Sequence, residues 1–377
     1  MSIFSGPEIA NNGLVFSYDM SNTQKSWRGA PTVNLISNPT FSTGVISPWS
    51  YQDVANGNAT IDTSVKYDGY NSARITRTSI GGESNMWLNL SAAQGLLPDT
   101  QYTFSAYSLA YSPNQASLFS YFSTTSNGSI IHSGSGQWER LVHTFTTRST
   151  EPYVQIRMWH NTTLLNSPVW FTELQVEQKT FATPFVNGTR TTSNNIIDLT
   201  GTNTVTATSL TYNSDNTFSF NGTGSISFTN PLSAQTNLGQ EWTVIAWVNI
   251  DTSINQRLIT GLNFGLYLTT GSNSSLLYLN GGVNDYYTYG GAIGGVGWCQ
   301  VVFRFRNSDG ARTIYKNGVN ISTGGPNLTS IPSGNLGTLT LGTSVNGLIS
   351  NTMIYNRYIT DAEVLQNFNA LRGRYGL

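Results

Sequence analysis

Three stretches of alternating residues carry the side chains with the best chemistry for holding a ligand. In 86–90, Met86, Leu88 and Leu90 share one phase, which leaves Trp87 and Asn89 on the other. In 153–159, Val154, Ile156 and Met158 form the apolar set, and Gln155, Arg157 and Trp159 alternate with them. In 101–109, Tyr102, Phe104 and Ala106 point one way and Tyr107 the other. Strand side chains alternate between faces, so Trp87, Asn89, Tyr107, Gln155, Arg157 and Trp159 are expected to line one sheet face. Aromatic rings with planar polar groups suit a pyranose, which has an apolar face and a rim of hydroxyls. Aromatics on a sheet face also stabilise it by cross-strand pairing or form a contact with another subunit, and the residues alone leave these readings open. A secondary candidate is the Gly-flanked loop carrying Tyr286, Tyr287 and Tyr289, where a recognition surface and an edge strand with paired tyrosines are both open.

Residues for catalysis are harder to find. Glycoside hydrolysis needs two carboxyls facing across a groove, and the pairs Asp285 with Glu241 and Glu173 with Glu177 have no motif around them. His132, His143 and His160 are scattered, and His143 among apolar strand residues reads as structural. No zinc spacing, P-loop or Gly-x-Ser-x-Gly occurs. The expectation is a binding protein, not an enzyme.

The elements that must position these residues are β-strands. Of 377 residues only 10% are charged, against the usual quarter or about 25%, while 12% are aromatic and spread over the whole chain. That aromatic content excludes a disordered chain. Short β-rich runs bounded by Gly, Pro, Asn and Ser give an all-β fold class: two β-sandwich (jelly-roll) domains with a short C-terminal helix. Phe218 to Phe228 reads as two strand pieces meeting at the Asn221-Gly222 turn. The helix is signalled by Thr360 and Glu363 as a capping box, with Val364, Leu365, Phe368 and Leu371 on one face and Gly373 as the C-cap.

The net charge of −1 gives no basic footprint for nucleic acid, and no apolar run is long enough to span a membrane. The single cysteine, Cys299, has no intramolecular partner and reads as a buried, inert thiol. The N-terminus lacks a basic region followed by an apolar one, so no signal peptide is expected, and synthesis in a cytoplasm follows. No heptads or repeats that would build a fibre shaft are present.

In the last unit, Trp242 to Val248, Trp298 to Phe303, Ile314-Tyr-Lys-Asn-Gly318 and Leu341 to Arg357 resemble concanavalin A-like, laminin-G-like lectin domains. The closing Ile354-Tyr-Asn-Arg to Leu377 resembles the C-terminus of virion structural and tail-fibre proteins of tailed phages (cyanophage-like). Such proteins open with a Gly-Leu-Val strand ending in Asp, here Gly13 to Asp19, and continue at an Asp-Leu-(Ser/Thr)-Gly turn, here Asp198 to Gly201. The resemblance implies one discontinuous sandwich, residues 1–33 and 186–377, with residues 34–185 inserted; the alternative is two serial domains with an N-terminal arm. Residues 34–185 resemble jelly-roll carbohydrate-binding modules through Asn34 to Phe41, Gly69 to Ile75, Leu97 to Phe104, Gly136 to Arg140 and Trp170 to Val176. Many such modules hold a structural calcium through acidic residues before the first-strand Phe and in the final strand. Here those positions are Thr40, Thr172 and Glu173, which leaves Glu173 as a weak calcium candidate and no other cofactor.

Taken together, the resemblances imply a virion protein of tail-fibre, receptor-binding type that recognises host-surface glycans. The alternative is a purely structural virion component, a capsid decoration or fibre-anchoring protein. Expected partners are other virion proteins, further copies of the chain (a trimer in the usual fibre arrangement) and a host cell-surface glycan.

Overall fold

The computed structural model describes residues 8–377 apart from 53–56, 81, 123–124, 151, 230, 233–240, 253–255, 262–263, 270–273, 281–283, 291–292, 307 and 323–337. The chain divides into two compact units, residues 1–30 with 191–377, and residues 31–190.

The 31–190 unit is a sandwich of two five-stranded antiparallel sheets. One has the order Trp138–Thr146, Gln101–Leu109, Val169–Glu177, Tyr70–Arg77, Gly57–Tyr67. The other has the order Ser50–Gln52, Ser84–Leu90, Val154–His160, Ala116–Phe122, Thr125–Ile131. Inner-face residues from both sheets fill one core, among them Met86, Phe104, Leu118, Ile156 and Phe171, each with no exposed surface. His143 is buried and shares a hydrogen bond with Ser120 (Nε2 to Oγ, 2.8 Å). Burial holds its imidazole below the usual range, so it stays neutral, as a structural histidine should. The ends of the unit are tied by the pairing of Thr32–Val33 with Thr189–Arg190.

The other unit packs an eight-stranded sheet and a seven-stranded sheet over a shared apolar core. Leu14–Asp19 pairs antiparallel with Asn346–Tyr355, so the first strand joins the sheet through the last one. Asp198 secures this start: its carboxylate accepts from the Ser17 N–H at 2.9 Å and from the Thr200 and Asn203 N–H groups at 3.1 Å each. Phe218–Asn221 and Ser225–Phe228 do meet at a turn, where Asn221 Oδ1 accepts from the Gly224 N–H at 3.0 Å. They are not a hairpin, however. The first piece pairs with Asn346–Tyr355 and the second with Leu339–Leu341, so the chain crosses from one sheet to the other at the turn. Cys299 is buried, and desolvation pushes its thiol up to about 11.

The C-terminal helix spans Asp361–Leu371 and begins with the Thr360/Glu363 capping box. Val364 and Phe368 are buried beneath it, whereas Leu365 is exposed, against the sequence reading. Gly373 does not cap it either. The helix runs on through Arg372 into a 3₁₀ turn, Arg372–Tyr375, which closes at the left-handed Gly376. Among the described residues no helix is long and apolar enough to cross a membrane.

Candidate functional site

Strands Ser84–Leu90 and Val154–His160 lie side by side in the 31–190 unit. Met86 and Leu90 on one, and Val154, Ile156 and Met158 on the other, are drawn into the core, which turns the intervening residues outward. The register sets Arg157 opposite Trp87 and Gln155 opposite Asn89. On its other edge Val154–His160 pairs with Ala116–Phe122, placing Phe119 opposite Arg157 and Tyr121 opposite Gln155. Trp87, Asn89, Gln155, Arg157 and Trp159 therefore share one face, as their alternation implies.

These side chains interact with one another. The Arg157 guanidinium lies 4.9 Å from the Tyr121 ring centre, donates from Nε to Gln155 Oε1 at 2.6 Å, and pairs with Glu83 at 3.1 Å. Asn89 Oδ1 accepts from the Tyr153 hydroxyl at 2.6 Å and from Gln155 Nε2 at 3.1 Å. Trp159 meets Phe119 edge-on at 5.7 Å, and its indole N–H is buried with no acceptor among the described residues. The result is a half-buried platform of rings with an amide and guanidinium network through its middle. Such a surface can stack the apolar face of a ring and exchange hydrogen bonds with hydroxyls at its edge.

Phe119 and Tyr121 belong to this face but escape the sequence reading. Their signal is present: Leu118 and Phe122 share the inward phase in 116–122, so Phe119 and Tyr121 must point outward.

Tyr107 does not belong to it. Strand Gln101–Leu109 is in the other sheet, where Tyr107 pairs with Arg140 and Thr172, and its ring stacks on Tyr67 at 4.0 Å. Alternation assigns a phase within a strand; it does not say which sheet the strand joins. For Tyr286, Tyr287 and Tyr289 the structure takes the second of the two open readings, the edge strand. They sit in a strand, Asn284–Gly290, at the end of the seven-stranded sheet, with Tyr286 opposite Tyr278, and not on a loop. Their side chains lie outside the described residues.

Glu173 occupies a bulge in Val169–Glu177, with left-handed backbone (φ 50°) and 5% exposure. Burial and the neighbouring Asp68 push its carboxyl up to about 7, against a smaller pull from Arg140. Among the described residues no group of three or more His, Cys, Asp and Glu side chains comes together. The Thr172 hydroxyl is spent on the Asn71 carbonyl at 2.6 Å, and the Thr40 hydroxyl on Ser42 Oγ at 3.2 Å. Calcium wants six to eight oxygens with net negative charge, so this donor set does not fit it. Glu177 is held by Thr183 (N–H at 2.8 Å, hydroxyl at 2.7 Å) and by Gln175 Nε2 at 2.6 Å.

A cavity of about 490 Å³ opens elsewhere in the unit, lined by residues that include Pro31, Val33, Leu35, Tyr102 and Lys179. It shares no residue with the platform. Flat ring platforms leave little enclosed volume, so the platform is the better site on chemical grounds.

Two family models match the chain, one in each unit. Residues 33–163 match the family model of a carbohydrate binding domain, and residues 220–365 match that of the concanavalin A-like lectin/glucanases superfamily. No curated protein matches the chain. Similar solved structures include the binding domain of botulinum neurotoxin DC in complex with rat synaptotagmin II, at 17% identity and a TM-score of 0.39, covering 47% of this chain and 49% of that one. The botulinum neurotoxin serotype C1 binding domain is similar at 16% identity and a TM-score of 0.39, with 48% and 50% covered. The enzymatically active domain of bacteriophage CBA120 tailspike protein 4 is similar at 10% identity and a TM-score of 0.32, with 38% and 21% covered. The chain spans about half the length of the toxin binding domains it matches.

Proposed function

We propose that this chain is a non-enzymatic phage virion protein of tail-fibre, receptor-binding type, and that its 31–190 unit recognises host-surface glycans. The observation that carries the glycan reading is the shared face of Trp87, Arg157 and Trp159 on paired strands, in a unit that matches a carbohydrate binding domain model. The virion assignment rests on the likeness of residues 354–377 to phage fibre C-termini, and a homo-oligomer, most simply a trimer, goes with it. Binding is favoured over catalysis because, among the described residues, the acid in contact with the platform is Glu83, which is paired with Arg157, and hydrolysis needs two carboxyls across a groove. Full-length protein on an immobilised glycan array is expected to select a defined set of oligosaccharides and to bind host cells. Binding only to capsid or baseplate components, with no glycan selected, would sink the receptor-binding reading.

One observation favours a second reading. Asn89, Gln155 and Arg157 already satisfy one another, as the side chains of a structural contact face would. In that case the protein is a decoration or anchoring component, and Trp87→Ala with Trp159→Ala would release it from particles without changing adsorption to glycans.

A further inference from the structure

The other sheet of the 31–190 unit carries a differently built cluster on its outer face. The Tyr67 ring stacks on Tyr107 at 4.0 Å, and Trp138 leans against Tyr67 with centroids 5.5 Å apart. The Arg140 guanidinium lies 5.8 Å from the Tyr107 ring centre. All four side chains are half-buried, with part of each surface facing solvent. Among them is Glu173, only 5% exposed, whose electrostatic neighbours are Asp68 and Arg140, and which itself acts on Tyr67.

Two features of Glu173 set it apart. Its carboxyl receives no hydrogen bond from any described residue, and its oxygens are not sealed from solvent, which leaves them within reach of an incoming hydroxyl. Its backbone is left-handed where the strand bulges between Thr172 and Gln175, and the bulge re-aims its side chain. Arg140, meanwhile, is held by Nη2 alone, through Ser105 Oγ at 3.1 Å and the Thr183 carbonyl. The patch thus combines three aromatic rings, an acceptor lacking a donor, and a guanidinium fixed at one corner.

We propose that Tyr67, Tyr107, Trp138, Arg140 and Glu173 form a second saccharide-binding site, on the sheet that does not carry Trp87 and Trp159. A neutral sugar stacks on the Tyr67 and Trp138 rings, one hydroxyl donates to the Glu173 carboxylate, and another accepts from Arg140. The ligand class rests on the glycan reading above; the location does not.

The test is titration of full-length protein with neutral hexasaccharides (a β-glucan, a xylan and a chitin series), followed by NMR saturation transfer and calorimetry. Two sites per chain are expected. Trp87→Ala with Trp159→Ala is expected to leave one site, and Trp138→Ala to remove the other. Glu173→Gln, which preserves shape, is expected to weaken the second site at least about fivefold at pH 8 and much less at pH 5, where the native carboxyl is already protonated. Melting curves identify any variant that fails to fold, and Tyr67→Ala replaces Trp138→Ala if that one does. A single site, lost entirely in Trp87→Ala with Trp159→Ala and untouched by Trp138→Ala and Glu173→Gln, overturns the second site and leaves the first standing. A single site lost only in Trp138→Ala overturns the first face and keeps the second. No binding of any hexasaccharide by any variant overturns both.

Discussion

The platform and the Glu173 patch make opposite demands on single residues. Trp159 and Trp87 lie half-buried on the outer face and contribute little to the core, so under the proposed glycan reading Trp159→Ala is expected to lower affinity by about 1–3 kcal/mol, roughly 5- to 150-fold, while shifting the melting temperature little. Equal losses of affinity and of melting temperature would mark Trp159 as a packing residue instead. Glu173 is the reverse case, a buried acid whose pKa is raised to about 7 from an ordinary 4.5. Between those values the native state holds more protons than the unfolded one, so stability falls as pH rises through that window. Glu173→Gln is therefore expected to stabilise the protein by about 3 kcal/mol at pH 8 relative to its effect at pH 4, read by thermal melts at the two pH values. A flat difference across pH would contradict the burial argument. The phases of Trp87, Gln155 and Arg157 were legible in the sequence because Met86, Val154, Ile156 and Met158 mark the core side so plainly. The placement of Tyr107 was not, since sheet membership depends on pairings made over long sequence separations.

At the scale of elements, the C-terminal helix is held by a clamp at its start. Arg304, 2% exposed, donates to the Ile359 carbonyl at 2.6 Å and to Asp361 at 2.8 Å, and lies between the Tyr315 and Tyr358 rings at 4.5 and 4.2 Å. Lysine cannot reproduce that fork or the stacking. Arg304→Lys is expected to cost about 1–3 kcal/mol through the hydrogen bonds lost by a buried cationic group, and Thr360→Ala about 1 kcal/mol through the lost cap. Denaturant unfolding measures both; if Arg304→Lys cost no more than Thr360→Ala, the clamp would be ornamental. The start of this helix was readable, because a capping box is a local signal. Its end was not, since the turn from Arg372 to Tyr375 is stabilised by stacking of Tyr375 on Trp247 at 4.2 Å, a contact between residues far apart in the chain. The same limit hid the sheet crossing at Asn221: the turn chemistry was visible, but not which sheet each flanking piece would join.

At the scale of the molecule, both joints of the 31–190 unit are bracketed by hydrogen-bonded pairs. Thr32 pairs with Arg190 on one side, and Trp27 bridges Ile196 on the other, with the Arg28 N–H donating to the Asn195 carbonyl at 2.9 Å. A unit whose ends lie together can be removed or displayed without strain. Residues 31–190 expressed alone, and residues 1–30 joined to 191–377 by a short Gly-Ser linker, are each expected to melt cooperatively; aggregation of both pieces would argue for a single interdependent fold. The sequence showed where composition and turns change, and the strand Gly13 to Asp19 was visible as one needing a sheet. Its partner, Asn346–Tyr355, is over three hundred residues away, and nothing local connects them. The most direct test of glycan recognition by the Trp87/Arg157/Trp159 face is titration of full-length protein and its Trp87→Ala/Trp159→Ala variant with whichever oligosaccharide the array selects. We expect saturable binding that weakens at least about tenfold in the variant while its melting temperature holds; unchanged affinity in a folded variant would contradict it.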